Sequence, residues 1–187
     1  MKLAVFFPGI GYTNDKPLIY YARKIARNHE YEELCVEYHD LPAKVRGNKE
    51  LMMQAVEMAY KQACERLSTV DFTAYDEILM VGKSIGTVLA TRYCSEHNIK
   101  ARLVLYTPVE ATFEVPVTKD AIAFIGDEDP WSSLDEVKHL AQKCETELII
   151  YPGCNHSLEC GEAHKDINTL KEVMNATDDF LRCNVFF

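Results

Sequence analysis

Val81-Gly82-Lys83-Ser84-Ile85-Gly86-Thr87 closes an apolar run, Ile78 to Val81, and opens a stretch of helical character reaching about His97. Its centre is a Gly-x-Ser-x-Gly pattern in a strand-turn-helix setting. A turn this sharp places the serine in a strained backbone conformation and brings strand and helix close together, leaving room only for glycine at positions 82 and 86. The Ser84 hydroxyl then stands above the strand end. The first amides of the next helix, which have no acceptor inside it, face whatever the hydroxyl attacks. Gly82-Lys83-Ser84 also looks like the end of a phosphate-binding loop. That loop needs a glycine five residues before Gly82, where Glu77 stands, and Ile78 to Val81 read as strand, so it is excluded. Taken alone, the pentapeptide also fits an ordinary tight turn with a surface serine.

Working outward, residues 2 to 7 form a continuous apolar strand, and Pro8-Gly9-Ile10-Gly11-Tyr12-Thr13-Asn14 follows as a glycine-rich loop. Asp15 is placed to cap a helix with Pro17 at its first position, ending near His29. A second strand fits Glu33 to Tyr38, and Asn48 caps a longer helix with Met52, Ala55, Val56, Ala59 and Ala63 as its core stripe. The third strand is Glu77 to Val81, the fourth Arg102 to Tyr106, the fifth Ala121 to Ile125 and the sixth Glu147 to Tyr151. A helix from about Ser133 to Cys144 separates the last two, and the final helix turns Ile167, Leu170, Val173, Met174, Thr177 and Leu181 to one side. Strands alternate with helices and are nearly all apolar, the pattern of a parallel sheet covered on both faces.

The chain of 187 residues is one domain by length, 1–187, and 48% hydrophobic with 26% charged residues is ordinary for a globular protein. A net charge of -9 argues against nucleic acid or an anionic membrane as partner. Seven scattered cysteines with no CxxC pair and no secretory leader read as reduced thiols of a cytoplasmic protein. Leu3 to Phe7 is too short for a signal segment, and no run reaches membrane-spanning length.

In open parallel sheets, ligands and reacting groups gather beyond the carboxyl ends of the strands. Strand one is followed there by the glycine loop, strand three by Ser84, strand five by Asp127 and Asp129, and strand six by His156. A serine hydroxyl is a poor nucleophile near neutral pH and needs a base, with a carboxylate to orient that base. His29, His39, His97, His139 and His164 lie on helices, helix ends or other loops; His39, after a strand end, is the least securely set aside. Ser157 and Glu159 read as loop braces or caps. Cys154 and Cys160 flank His156 without metal-ligand spacing, so no metal and no cofactor is expected. Lys83 reads as a surface side chain, with a substrate-carboxylate contact as the alternative.

The elbow, with the order serine, acid, histidine, resembles the α/β-hydrolase superfamily over essentially the whole chain. It is similar to the small uncapped bacterial members, dienelactone-hydrolase-like or of an unassigned subfamily, with the usual first two strands absent. The resemblance implies a three-layer α/β/α sandwich on a mostly parallel six-stranded sheet without a cap domain. Carried over by residue, it implies Ser84 as nucleophile, His156 as base and then acid, and Ile85 as one oxyanion amide. Pro8-Gly9-Ile10-Gly11 stands where the family often has His-Gly-x-Gly, which implies Ile10 as the second amide; proline in place of histidine is a departure. Members often read Gly-x-x-Asp after the fifth strand, and Gly126-Asp127-Glu128-Asp129 fits with Asp129 as the acid. Asp127 stays open as the alternative, its other reading being a turn or capping carboxylate. Pro130-Trp131 is expected to hold that loop against the core.

Only Thr107 to Lys119 stand where many members insert a cap. The cleft should therefore be shallow, walled by Tyr12, Thr13, Val109, Phe113, Trp131 and Glu110, and suited to a small-molecule substrate. A partner subunit in a homo-oligomer could roof it. The reaction implied is hydrolysis of a small ester or thioester through an acyl-enzyme. Two alternatives use the same residues: peptide or amide cleavage, and a non-catalytic binding protein that keeps the fold.

Overall fold

The computed structural model describes residues 1–183. Its strands are β1 (Lys2–Phe7), β2 (Tyr31–Cys35), β3 (Glu77–Lys83), β4 (Arg102–Tyr106), β5 (Ala121–Gly126) and β6 (Glu147–Tyr151). They join in the order β2-β1-β3-β4-β5-β6, and every pairing is parallel rather than most of them. The helices are α1 (Pro17–Asn28), α2 (Lys49–Leu67), α3 (Ile85–Glu96), α4 (Leu134–Lys143) and α5 (Ala163–Arg182). The chain leaves β1 for β2 on one side and returns to β3 on the other, so the direction of winding reverses between β1 and β3. Their loops diverge there and leave a crevice at the carboxyl edge.

Alternate residues of each strand feed two cores. Leu3, Val5, Phe7, Met80, Leu103 and Leu105 meet Ala59 and Ala63 of α2 and Leu89 and Ala90 of α3. Ala4, Phe6, Leu79, Val81, Val104 and Phe124 meet Leu18 and Ile19 of α1 and Val173 and Leu181 of α5. Burial on both faces explains why the strands read as unbroken apolar runs.

Several expectations shift in detail. The second strand begins at Tyr31, not Glu33, because Glu30 turns the chain with φ 66° and the buried Tyr31 pairs at once with Lys2. The third strand runs two residues beyond Val81, with Lys83 in register with Tyr106. Lys16, not Asp15, is the N-cap of α1 and has no side-chain cap; the Asp15 carboxylate lies 3.6 Å from Arg23. Asn48 does cap α2, accepting from the Leu51 amide at 3.0 Å. Ile167 is 62% exposed and drops out of the apolar face of α5.

A buried ion pair anchors the far end of the sheet. Arg102 Nε donates to Asp120 at 2.9 Å, and the rest of its guanidinium donates to the carbonyls of Phe180, Leu181 and Cys183, which close α5. Arg102→Met is expected to lower unfolding stability by about 3–5 kcal/mol, because it strands Asp120 in the interior. A urea midpoint should show this, and Asp120→Asn in the same chain should restore part of the loss.

Candidate active site

Ser84 sits between β3 and α3 with φ 56° and ψ -123°, a backbone conformation that few non-glycine residues adopt. Its amide donates to the Tyr106 carbonyl at 3.0 Å, which pins the turn to β4. The two glycines of the elbow are there for space. A Cβ on Gly86 would lie 2.0 Å from the Phe7 carbonyl oxygen, and one on Gly82 would lie 2.6 Å from the Thr87 Cα.

His156 arrives from the loop after β6 and Asp129 from the loop after β5. The His156 Nε2 lies 2.8 Å from Ser84 Oγ, and its Nδ1 lies 2.6 Å from Asp129 Oδ2. A carboxylate can only accept, so Nδ1 carries the proton and the Nε2 lone pair faces the serine hydroxyl. The other Asp129 oxygen accepts the Trp131 amide at 2.9 Å, so this buried carboxylate is bonded on both sides. Desolvation pulls the His156 pKa below its ordinary value; the bond to Asp129 opposes that shift and the charge of Lys83 adds to it. Of the two carboxylates left open by the sequence, Asp129 is the one beside His156. Asp127 accepts the Gly153 amide at 2.6 Å and braces the histidine loop.

Three features hold these loops in register. The Asn155 side chain accepts the amides of Ser157 and Glu159, folding the chain tightly around His156. The Glu128 amide donates to the Cys154 carbonyl at 3.0 Å. Gly126 lies so close to the same strand of chain that a Cβ there would fall 2.0 Å from the Cys154 oxygen. The sequence reading missed Asn155 and took Gly126 only as part of the Gly-x-x-Asp pattern, although an Asx residue beside a loop histidine and a glycine ending a strand are both visible signals.

Beyond β1, Gly9 and Tyr12 exchange backbone hydrogen bonds of 3.0 and 3.3 Å around a turn in which Gly11 has φ 70°. In such a turn the two central amides, of Ile10 and Gly11, are free of the turn's own bonding. This loop lies against the nucleophile: a Cβ on Gly9 would be 3.2 Å from Ser84 Cβ. Thr13 and His39 line a groove of about 400 Å³ beside the same loop, with Pro8, Ile10, Glu37 and Leu41.

The expected cleft walls divide. Trp131 is 36% exposed and sits over His156, ring centroids 5.8 Å apart, with Arg46 on its own ring. It therefore covers the histidine instead of fixing its loop to the core. Phe113 is a correction: it is buried against Ile125, Val137 and Ala141 beneath α4, because Thr112 ties its turn to α3 through bonds to Thr87 and Thr91. Glu110 is engaged by the Ser133 amide at the start of α4. Tyr12 is partly buried, its hydroxyl accepting the Leu18 amide, and desolvation pushes its pKa up to about 12.

Lys83 is the largest departure from the sequence reading. It is 1% exposed, with Nζ 4.8 Å from the centre of the Tyr12 ring. Burial pulls its amine down to about 7, against the pull of the Asp129 charge. Extending β3 to the elbow would have revealed it, because Leu79, Val81 and position 83 then share one face.

No family model and no curated protein matches the chain. Solved structures do. A Xanthomonas campestris pv. campestris protein assigned to the alpha/beta hydrolase superfamily aligns at TM-score 0.69 and 17% identity, covering 97% of this chain and 96% of its own. A second Xanthomonas campestris protein, described as an a/b serine hydrolase without lid, aligns at TM-score 0.61 and 11% identity over 98% and 84%. Est1E from Butyrivibrio proteoclasticus, solved with ferulic acid bound, aligns at TM-score 0.67 and 12% identity over 97% and 88%. At these identities the likeness is one of fold: the chain has the α/β-hydrolase fold in a minimal form without a cap.

Gly126→Ala should force the Asp129 and His156 loops apart. Labelling by a fluorophosphonate probe is expected to slow about a hundredfold, the scale of a 1 Å misplacement, while far-ultraviolet circular dichroism stays that of the parent.

Proposed function

We propose that the protein is a serine hydrolase that cleaves a small ester or thioester, with Ser84 as nucleophile, His156 as general base and acid, and Asp129 as the orienting carboxylate. The observation that supports this best is the unbroken hydrogen-bond chain from Ser84 Oγ through the imidazole to Asp129, set on a strained elbow.

As Ser84 Oγ attacks the substrate carbonyl, its proton passes to Nε2 and the carbonyl electrons move onto oxygen. The Ile85 amide, first in α3 and so without an acceptor in the helix, faces that oxygen together with the Ile10 amide of the turn after β1. Collapse expels the alcohol or thiol, which takes the proton from His156. Water activated by the same imidazole then releases the acid and restores Ser84. Asp129 remains a carboxylate throughout, offsetting the imidazolium charge. The groove beside Ile10 and the single short helical turn, Glu110–Phe113, between β4 and β5 support a small or extended small-molecule substrate.

Ser84→Ala is expected to abolish turnover of p-nitrophenyl acetate and labelling by a fluorophosphonate; parent protein inert to both would refute the assignment. Position 10 is the second residue of a turn whose third is a positive-φ glycine, where proline is well tolerated. Ile10→Pro should therefore keep the fold, remove one oxyanion donor and lower kcat by about two to three powers of ten. Because His156 must be neutral to act, the acid limb of kcat/KM should lie below the ordinary histidine range, following the lowered pKa.

A further inference from the structure

Leu79 and Val81 enter the core under α1 and α5, and Lys83 continues their stripe beneath the site. Lysine is almost never fully buried without a paired charge, and an apolar side chain would fill this place at far lower desolvation cost. The ammonium instead lies over the Tyr12 ring, 4.8 Å from its centre, one residue before Ser84. Its ammonium lies over Tyr12 from the loop after β1, Tyr106 stands beside it in register on β4, and its charge interacts with Asp129 after β5 and His156 after β6. Tyr151 acts on Tyr106 and Glu159 on Tyr12. The helices packed on this face present uncharged Leu18, Ile19, Val173 and Thr177. Burial keeps the tyrosines neutral, so Asp129 is the negative charge that acts on Lys83.

We propose that Lys83 is a positioning residue, a buried amine whose charge acts on the Asp129–His156 pair and sets the proton affinity of the imidazole. The functional importance of that control rests on reading His156 as the general base. While the amine is protonated it opposes the imidazolium that acylation creates. Once it loses its proton, Asp129 acts on the imidazole alone and the base strengthens. Lys83 thus links the nucleophile's activation to pH near neutrality, where its lowered pKa places the change.

The test follows the histidine itself rather than turnover. In protein labelled with nitrogen-15 histidine, the His156 imidazole, assigned with His156→Gln, is titrated in the parent and in Lys83→Met, an apolar side chain of similar length. The His156 midpoint is expected to rise by about half to one pH unit in Lys83→Met, the scale of removing a unit charge from a partly buried neighbourhood. A midpoint that does not move overturns the proposal. The parent provides a check that needs no folded variant: one carbon-13 labelled lysine should titrate near pH 7, and the His156 signal should bend a second time at that pH. A full set of lysines titrating above pH 10, or a His156 curve with a single inflection, overturns it as well. Neither readout needs an ester to be cleaved, so failure of the hydrolase assignment would be visible separately as a coupled pair in a protein inert to substrate and probe.

Discussion

At the heart of the molecule one backbone lies directly on another: the Cα of Gly86 rests against the Phe7 carbonyl, where any side chain would collide. That contact locks the first turn of α3 to the end of β1. It places the turn after β1 beside the serine and leaves the Ser84 backbone in its rare conformation. A second contact of the same kind, Gly126 against Cys154, locks the loops after β5 and β6 together. The serine is thus set by one close approach and its histidine and carboxylate by the other, and the sheet carries both to the same edge. Precision at the site comes from stiff main chain more than from side-chain packing.

Electrostatics then work within that frame. Asp129 is buried with both oxygens bonded, and Trp131 covers the imidazole it serves. A charge so placed acts strongly because little water is present to screen it. The same dryness lowers the proton affinity of both His156 and Lys83, although the two bear on Asp129 in different ways. His156 donates a hydrogen bond to it directly, and Lys83 acts through the field of its buried charge.

The strand runs, the elbow, the capping Asn48 and the grouping of Ser84, Asp129 and His156 at one edge were legible because each depends on local periodicity or on a turn's steric demands. The Gly-x-x-Asp resemblance favoured Asp129 over Asp127, but both follow the same strand, and which one meets His156 depends on how two distant loops pack. Phe113 was misread as a cleft wall because it stands in the short stretch, Thr107 to Lys119, that replaces a cap at the carboxyl edge. The threonine bonds that pull its turn onto α3 join residues 87, 91 and 112, which no short-range pattern connects. Lys83 was misread because charge was taken to mean surface.

The amino-acid sequence by itself determined the alternation of apolar strands and amphipathic helices, the sharp turn at residues 82 to 86 and the identity of the residues at the carboxyl edge, since these follow from hydrophobic period and from the space glycine leaves. Tertiary structure settled the choice between the two carboxylates, and it alone decided which aromatic residues reach solvent and that a lysine is sealed beneath the serine. Those outcomes depend on contacts between segments far apart in the chain, where the dryness and distance that govern a charge exist only after the sheet has closed over it.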